Sequence, residues 1–355
     1  MLPTYLNWHL SAHPAMTAQD VVKLFFQAHC GCGHLLGEEA NVAAYIEKEE
    51  AGLLPDAAEP LTEPLGDRYC RLNLRRAMWE GIKPLWIARM MRLSSKPTDV
   101  QADRKSAFMH ILDLEMTEVG FANDVLLDIA CRLVDDPDWL PGHSEPYRQA
   151  YAPAYRVISR EMETLLPVLS AAARAMKDNP QALMCIDGPC GSGKTTMARQ
   201  LAEITDAVCI PMDDFYTPHP QKTPERLAQP GGNADWERLL SEFLLPWRAQ
   251  GYGAYRPYLC AEDRFVPAVQ VPSRPLTILE GSYSLLPSIA ALSDVRVFLT
   301  VDEAEQLRRL RAREGETELR AFQQKWIPLE RTYYAAFSLP DEHCLVIRSQ
   351  PLTDV

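Results

Sequence analysis

The chain has 355 residues, which favours two domains over one. It is 47% hydrophobic and 24% charged, values typical of a globular protein, and its formal net charge of −12 argues against nucleic acid or an anionic membrane as main partner. Nine cysteines without regular spacing indicate reduced thiols. With no recognisable signal peptide and no apolar stretch of membrane-spanning length, the expected location is cytoplasmic.

A proline-rich polar segment over 135–153 predicts a linker between two regions. Before it, Thr17 followed three residues later by Asp20 has the pattern of a helix start, and the remaining spacing is helical. The sequence therefore predicts a mostly α-helical domain over 1–145 and a second domain over 146–355.

The second region alternates between helical segments and short apolar runs. A helix is expected over 154–176, and the apolar runs that follow are at 182–186, 207–210, 276–279 and 295–299. Short continuous apolar strands separated by helices are typical of a parallel sheet covered on both faces. The predicted class is α/β, with the parallel sheet flanked by helices.

The segment Gly188–Thr195 fits the pattern G-x-x-x-x-G-K-[ST] without a mismatch. It follows a predicted strand and opens a predicted helix, the context in which this loop cradles phosphates. Lys194 is expected to reach the β- and γ-phosphates of ATP, and the Thr195 hydroxyl to bind Mg²⁺. The nucleotide-binding residues expected here are Gly188, Gly191, Ser192, Gly193, Lys194, Thr195 and Thr196.

Two adjacent carboxylates, Asp213 and Asp214, come just after the second predicted strand. The carboxyl ends of parallel strands form the ligand-binding edge of such a sheet. A carboxylate there can accept the proton of an attacking hydroxyl, as a kinase requires. The alternative is that one of the pair only caps the next element.

Together these segments resemble the uridine kinase and phosphoribulokinase family of P-loop kinases. The resemblance covers about 180–340 and is carried by the phosphate loop, Asp213-Asp214-Phe215-Tyr216, Glu280-Gly281 and the arginine-rich segment 307–313. It implies a kinase domain that transfers the γ-phosphate of ATP to a hydroxyl of a small molecule, with a nucleoside such as uridine as the favoured acceptor. A sugar, a pantothenate-like alcohol, or an ATP-binding regulatory module without transfer are the alternatives.

The resemblance also assigns roles to single residues. It implies that Asp213 is the catalytic base beside Lys194, and that Glu280 lies near the metal with Thr195. A carboxylate at Glu280 suits Mg²⁺, although a strand-end ion pair would also explain it.

For the acceptor, the resemblance implies contacts from Tyr216, Asp235 and Tyr258. Asp235 could instead cap a helix. Where the family has a histidine five residues after that second tyrosine, this chain has Asp263. This departure keeps acceptors other than a pyrimidine nucleoside open.

Four arginines lie on one predicted helix where the family places a mobile lid. Arg309 and Arg313 are the lid candidates, since lid arginines neutralise charge on the transferred phosphoryl group. The alternative is a solvated helix face with pairs such as Glu305 and Arg309.

The amino-terminal half matches no family that the residues indicate. His29, Cys30, Cys32 and His34 crowd into six residues, as in some zinc sites, but this spacing is tight for four converging ligands and a glycine-rich helix end with buried thiols is the favoured interpretation. Four roles are open for this half: regulation, part of the acceptor pocket, assembly into a homo-oligomer, or an activity of its own.

Overall fold

The structure is a computed structural model that describes residues 3–32, 37–95, 131–132, 135–136 and 142–349. The chain divides into two compact units, Met1–Leu166 and Pro167–Val355. In the described ranges, every helix is too short or too polar to span a lipid bilayer.

The first unit combines helices with a small antiparallel sheet. Its helices are Thr4–Ala12, Ala18–Cys30, Glu39–Glu50, Leu74–Glu80, Pro84–Ser94, Glu145–Tyr151 and Arg160–Glu163. Its strands are β1 (Thr62–Leu65), β2 (Tyr69–Asn73) and β3 (Tyr155–Ser159), in the order β1-β2-β3. The predicted helix start is confirmed, since Thr17 and Asp20 form a reciprocal capping box.

The helix expected over 154–176 is wrong in its first part. Tyr155–Ser159 is β3, which pairs antiparallel with β2, and the long helix is Leu166–Asp178. The segment is rich in aromatic and β-branched residues, which favour a strand once a neighbouring strand is available. β3 thus belongs to the first compact unit, which ends at Leu166. The predicted domain boundary at 145 stays a prediction.

The second unit is built on a five-stranded parallel sheet. The strands are β4 (Ala182–Asp187), β5 (Val208–Pro211), β10 (Leu276–Glu280), β11 (Val295–Thr300) and β12 (Cys344–Arg348), in the order β12-β11-β4-β10-β5. Two short antiparallel pairs lie between β5 and β10 in the chain: β6 (Gly253–Tyr255) with β9 (Val269–Val271), and β7 (Tyr258–Leu259) with β8 (Arg264–Phe265). The predicted α/β class is confirmed, and β12 is an edge strand that the sequence reading did not include.

Helices flank this sheet. The α-helices are Leu166–Asp178, Lys194–Thr205, Pro224–Leu227, Trp236–Arg238, Leu245–Gln250, Pro287–Ala290, Glu303–Ala321 and Ile327–Ala336, with π-helical turns at Leu239–Leu244 and Phe322–Trp326. β4 lies at the centre and is buried along its whole length, as expected for a parallel strand covered on both faces. The phosphate loop therefore leaves the middle of the sheet.

Candidate active site

The loop that follows β4 depends on glycine. Gly188 has φ +140°, and a Cβ there would lie 2.3 Å from the carbonyl oxygen of Leu299. Gly193, with φ +96°, precedes the helix Lys194–Thr205 in the left-handed region that side chains rarely adopt. These positions force the chain into a tight turn at the amino end of a helix, which is a favourable place for an anion.

The polar groups of this loop suit a polyphosphate. Lys194 is nine-tenths buried, and its Nζ donates to the carbonyl oxygens of Gly188 at 2.6 Å and Pro189 at 3.0 Å. Among the described residues, the buried Ser192 Oγ has no hydrogen-bond partner. A buried ammonium and an unpaired hydroxyl beside a helix amino end are donors that phosphate oxygens can satisfy.

Thr195 and Glu280 meet at the same edge of the sheet. The Thr195 hydroxyl lies 3.1 and 3.2 Å from the two carboxylate oxygens of Glu280, which ends β10 beside β4. Burial raises the pKa of Glu280, and the nearby Asp213 adds to the rise. A hydroxyl and a carboxylate are the oxygen ligands that Mg²⁺ prefers, and Mg²⁺ usually takes few protein ligands beside phosphates and water. The two residues therefore fit the expected metal.

The adjacent carboxylates Asp213 and Asp214 both lie in the turn Met212–Phe215 that follows β5, and they make different contacts. Asp213 lines the cleft in front of the loop. Asp214 accepts a hydrogen bond from the Tyr255 hydroxyl at 2.8 Å, and burial raises its pKa. The first of the pair is thus available to a ligand, whereas the second is held by its own neighbours.

The cleft has a volume of about 400 Å³. It brings together many of the residues predicted from the sequence: Gly191, Gly193, Lys194, Thr195, Thr196, Asp213, Tyr216, Glu280 and Arg313. Tyr216 is hydrogen-bonded to Asp213, and burial raises the pKa of the Tyr216 hydroxyl, so the tyrosine is the donor. The base candidate is therefore held in place by a neighbouring side chain.

Five predicted residues do not line the cleft: Gly188, Ser192, Asp235, Tyr258 and Arg309. The first two form the loop itself. The Asp235 carboxylate accepts hydrogen bonds from the backbone N–H of Arg238 at 3.2 Å and from the Arg238 Nε at 3.1 Å. Asp235 therefore caps a helix, which was the alternative to an acceptor contact. Tyr258 is buried, and its hydroxyl is shared between Asp263 and the backbone N–H of His219.

The two lid candidates take different positions. Arg309 pairs with Glu305 at 2.7 Å, as in the helix-face alternative, and its Nη1 donates to the Gly191 carbonyl at 3.2 Å. Arg313 is exposed, lines the cleft and pairs with Glu314. The helix Glu303–Ala321 is broken at Gly315, which has φ +82° and ψ 172°, directly after this pair.

Several cleft residues were not identified from the sequence: Lys222, Asn233, Cys260, Ser282, Tyr283, Phe322, Trp326 and Glu330. Asn233 lies two residues before Asp235, inside the segment that the sequence reading selected. The helix that begins after Asp235 turns that carboxylate away, and Asn233 takes its place at the cleft. The amide of Asn233 donates to Tyr283, and its buried Oδ1 is without a hydrogen-bond partner in the described part of the chain.

Two buried carboxylates hold the loop through hydrogen bonds to its backbone. Glu330 accepts from the Cys190 backbone N–H at 3.0 Å and from the Ser282 hydroxyl at 2.6 Å. Asp187 accepts from the backbone N–H of Gly188 at 2.7 Å, and burial raises its pKa to about 6. Neither has a sequence signal of its own, because one ends a strand and the other is an acidic residue in a helix.

In the first unit, the cysteine and histidine segment is described only in part, because His34 lies outside the described residues. Cys32 is buried, its Sγ donates to the Met91 carbonyl, and burial raises its pKa to about 12. Within the described ranges, three or more His, Cys, Asp or Glu side chains nowhere converge as a metal site would require. Zinc binding by this segment stays an untested alternative.

Comparison with known proteins gives no family model that matches and no curated relative. Solved structures with partial similarity include a candidate fructose transport system kinase from Silicibacter sp. TM1040, with 22% identity, 48% of this chain and 90% of that chain covered, and a TM-score of 0.37. A candidate uridine kinase from Bacillus stearothermophilus has 18% identity, coverage of 46% and 96%, and a TM-score of 0.33. YFH7 from Saccharomyces cerevisiae, described as a candidate P-loop kinase with a circular permutation, has 13% identity, coverage of 53% and 99%, and a TM-score of 0.40.

Proposed function

We propose that this protein is a phosphotransferase that moves the γ-phosphate of ATP to a hydroxyl of a small molecule. The observation that carries the proposal is the meeting of a phosphate loop, an oxygen pair for Mg²⁺ and a separate carboxylate, Asp213, on one cleft. A site that only binds a nucleotide has no use for the third feature. A hydroxyl acceptor needs it, because its proton must leave as the new bond forms.

In the proposed step, the acceptor oxygen attacks the γ-phosphorus and the bond from that phosphorus to the β–γ bridging oxygen breaks. The bridging oxygen keeps the electron pair and leaves as part of ADP. The hydroxyl proton passes to the Asp213 carboxylate, which Tyr216 orients through its hydrogen bond. Lys194 and the loop N–H groups stabilise the charge on the phosphates. When bound at Thr195 and Glu280, Mg²⁺ would neutralise part of the same charge.

The acceptor is less defined than the transfer. We propose a nucleoside as the first candidate, on the strength of the sequence resemblance and of the aromatic walls Tyr216 and Trp326. The buried Oδ1 of Asn233 can accept a hydrogen bond from a substrate hydroxyl. A sugar or pantothenate-like alcohol is the second candidate. It is favoured by the positions of Asp235 and Tyr258, since neither of these nucleoside contacts lines the cleft.

The test is an acceptor assay with the full-length protein. Incubation with Mg·ATP and a panel of nucleosides, sugars and pantothenate, followed by mass analysis, should show one compound heavier by a phosphoryl group and an equal amount of ADP. A product from uridine or cytidine would support the first candidate, and its absence beside a sugar product would support the second. Tight ATP binding without any product would support a regulatory nucleotide-binding module instead.

A further inference from the structure

Lys222 lines the cleft together with three residues from outside the phosphate loop, Tyr216, Cys260 and Trp326. It is half-buried, and its Nζ lies 5.5 Å from the centre of the Tyr216 ring, 5.9 Å from that of Trp326 and 3.5 Å from the Cys260 Sγ. These four residues are called the acceptor end. Its walls are two aromatic rings and a thiol, which hold an ammonium without neutralising it.

The backbone fixes this lysine in place. It follows a turn, His219–Gln221, and its N–H donates to the His219 carbonyl at 3.1 Å. The next residue, Thr223, caps the helix Pro224–Leu227 through its hydroxyl. Lys222 is therefore held between two short structured elements, and its side chain lines the cleft from a defined backbone position.

The surroundings of the Lys222 ammonium differ from those of the other cations that line the cleft. Lys194 is taken up by the phosphate loop, and Arg313 pairs with Glu314 at 2.6 Å. Among the described residues, no ion pair joins the Lys222 ammonium to a carboxylate. Asp263 accepts hydrogen bonds from Tyr258 and from the backbone N–H of His219, and the Tyr258 bond lowers its pKa most, with a smaller contribution from the charge of Lys222. An ammonium beside apolar surface interacts strongly with an anion that enters, because the local dielectric is low.

We propose that Lys222 forms a second anion subsite in the cleft and that it receives an anionic group, phosphate or carboxylate, of the acceptor. The inference rests on the proposed phosphotransferase function. Among the acceptors proposed above, it favours a carboxylate-bearing, pantothenate-like alcohol or a phosphorylated sugar over a neutral nucleoside. The hydroxyl that reacts would lie toward Asp213, and the anionic group would lie against Tyr216 and Trp326. A neutral nucleoside would bring no anionic partner to this ammonium.

The subsite can be tested without knowing the acceptor. The full-length protein is labelled with 5-fluorotryptophan, saturated with Mg²⁺ and a non-hydrolysable ATP analogue, and titrated with inorganic phosphate or acetate at constant ionic strength. The ¹⁹F resonance of Trp326, assigned with Trp326→Phe, should shift in a saturable way. Glycerol, as a neutral probe, should cause no such shift. Stronger binding of phosphate or of acetate identifies the kind of anionic group.

The matched control is a second lysine on the same ring, since Lys325 lies 4.5 Å from the centre of Trp326 and does not line the cleft. Lys222→Gln should weaken anion binding about tenfold or more, the usual loss for a hydrogen bond to a charged group, whereas Lys325→Gln should leave it within about twofold. No saturable shift in the wild type, or equal affinity in Lys222→Gln, would overturn the subsite.

A turnover experiment separates this inference from the proposed function. Glycerol is compared with glycerol 3-phosphate and glycerate, and ribose with ribose 5-phosphate, as phosphoryl acceptors. The anionic member should have the higher kcat/KM, and Lys222→Gln should remove most of the preference. Equal use of neutral members would overturn the substrate class and leave the kinase in place. Anion binding without any product would overturn the kinase and leave the subsite in place.

Discussion

The two ends of the cleft are constructed in different ways. The nucleotide end consists of one continuous segment, 188–196, together with Glu280 on the neighbouring strand β10. Most of its polar groups are backbone amides presented by the turns of this segment. At the acceptor end, Tyr216, Lys222, Cys260 and Trp326 come from separate segments and act through their side chains. Side chains can be exchanged without changing the path of the chain, so under the proposed function the acceptor specificity can vary at one end while nucleotide binding at the other is kept.

The largest expected effect is at the nucleotide end. Lys194→Met keeps the length of the side chain and removes its charge, and should lower kcat/KM roughly 10³-fold, because a charge on the phosphates loses its partner. The measurement is steady-state kinetics with the acceptor found in the panel. The exposed Lys177→Met is the control and should be within twofold of the wild type. A loss below tenfold for Lys194→Met would show that the nucleotide end does not depend on this cation.

The next effect concerns the support of the loop. Glu330→Leu leaves the Cys190 N–H and the Ser282 hydroxyl without their acceptor and should lower the free energy of unfolding by about 2–3 kcal/mol. Glu330→Gln keeps an acceptor oxygen and should cost about half as much. Chemical denaturation of both variants gives the comparison. Equal losses would mean that the charge, and not the hydrogen bonds, stabilises the loop.

A smaller effect should separate the two ends. Asn233→Ala removes a buried amide oxygen that we propose binds the phosphoryl acceptor. It should raise the KM of that acceptor about tenfold while the KM of ATP stays unchanged. The two KM values are measured with the same enzyme preparation, so the ATP value is the internal control. Parallel rises in both would contradict the division of the cleft into two independent ends.

The smallest effect lies outside the cleft, at His143 in the first unit, and concerns the pH dependence of stability. Burial lowers the pKa of His143 to about 4, although its hydrogen bond to Asp20 opposes the shift. Below about pH 6.5 the unfolded chain binds a proton that the folded His143 does not, so stability falls as pH falls.

The stability advantage of the wild type over His143→Gln should therefore shrink by about 1 kcal/mol between pH 7 and pH 5.5. Hydrogen exchange of the β2 amides, corrected for intrinsic rates, measures the stability difference between the two proteins. Glu50, whose pKa burial raises to about 7, acts in the opposite direction but is present in both proteins and cancels. A constant difference across this pH range would contradict a neutral buried imidazole.

The sequence predicts the nucleotide end well because a continuous motif fixes it. Gly188, Lys194 and Thr195 belong to one strand–loop–helix unit, and the strands around it are continuous apolar runs typical of a buried parallel sheet. Four of the five strands, β4, β5, β10 and β11, were predicted for that reason. The edge strand β12 was missed because its burial is mixed and its pattern is correspondingly weak.

The acceptor end could not be predicted in the same way. Asp235 and Asn233 are two residues apart, and only the start of the helix at Trp236 decides that the first caps the helix and the second lines the cleft. Lys222 and Trp326 are about a hundred residues apart in the chain, and their contact depends on the tertiary fold. The antiparallel pairing of β2 and β3 is a long-range contact of the same kind.

The most direct test of the phosphotransferase compares two adjacent carboxylates. Asp213 lines the cleft, whereas Asp214 is bound to Tyr255, so Asp213→Asn and Asp214→Asn make the same chemical change at neighbouring positions. With ATP affinity measured by calorimetry and turnover by product mass, Asp213→Asn should keep ATP affinity and lose roughly 10²-fold or more in turnover, and Asp214→Asn should keep both within a fewfold. Near-full turnover in Asp213→Asn would contradict its role as the base and, with it, the central claim.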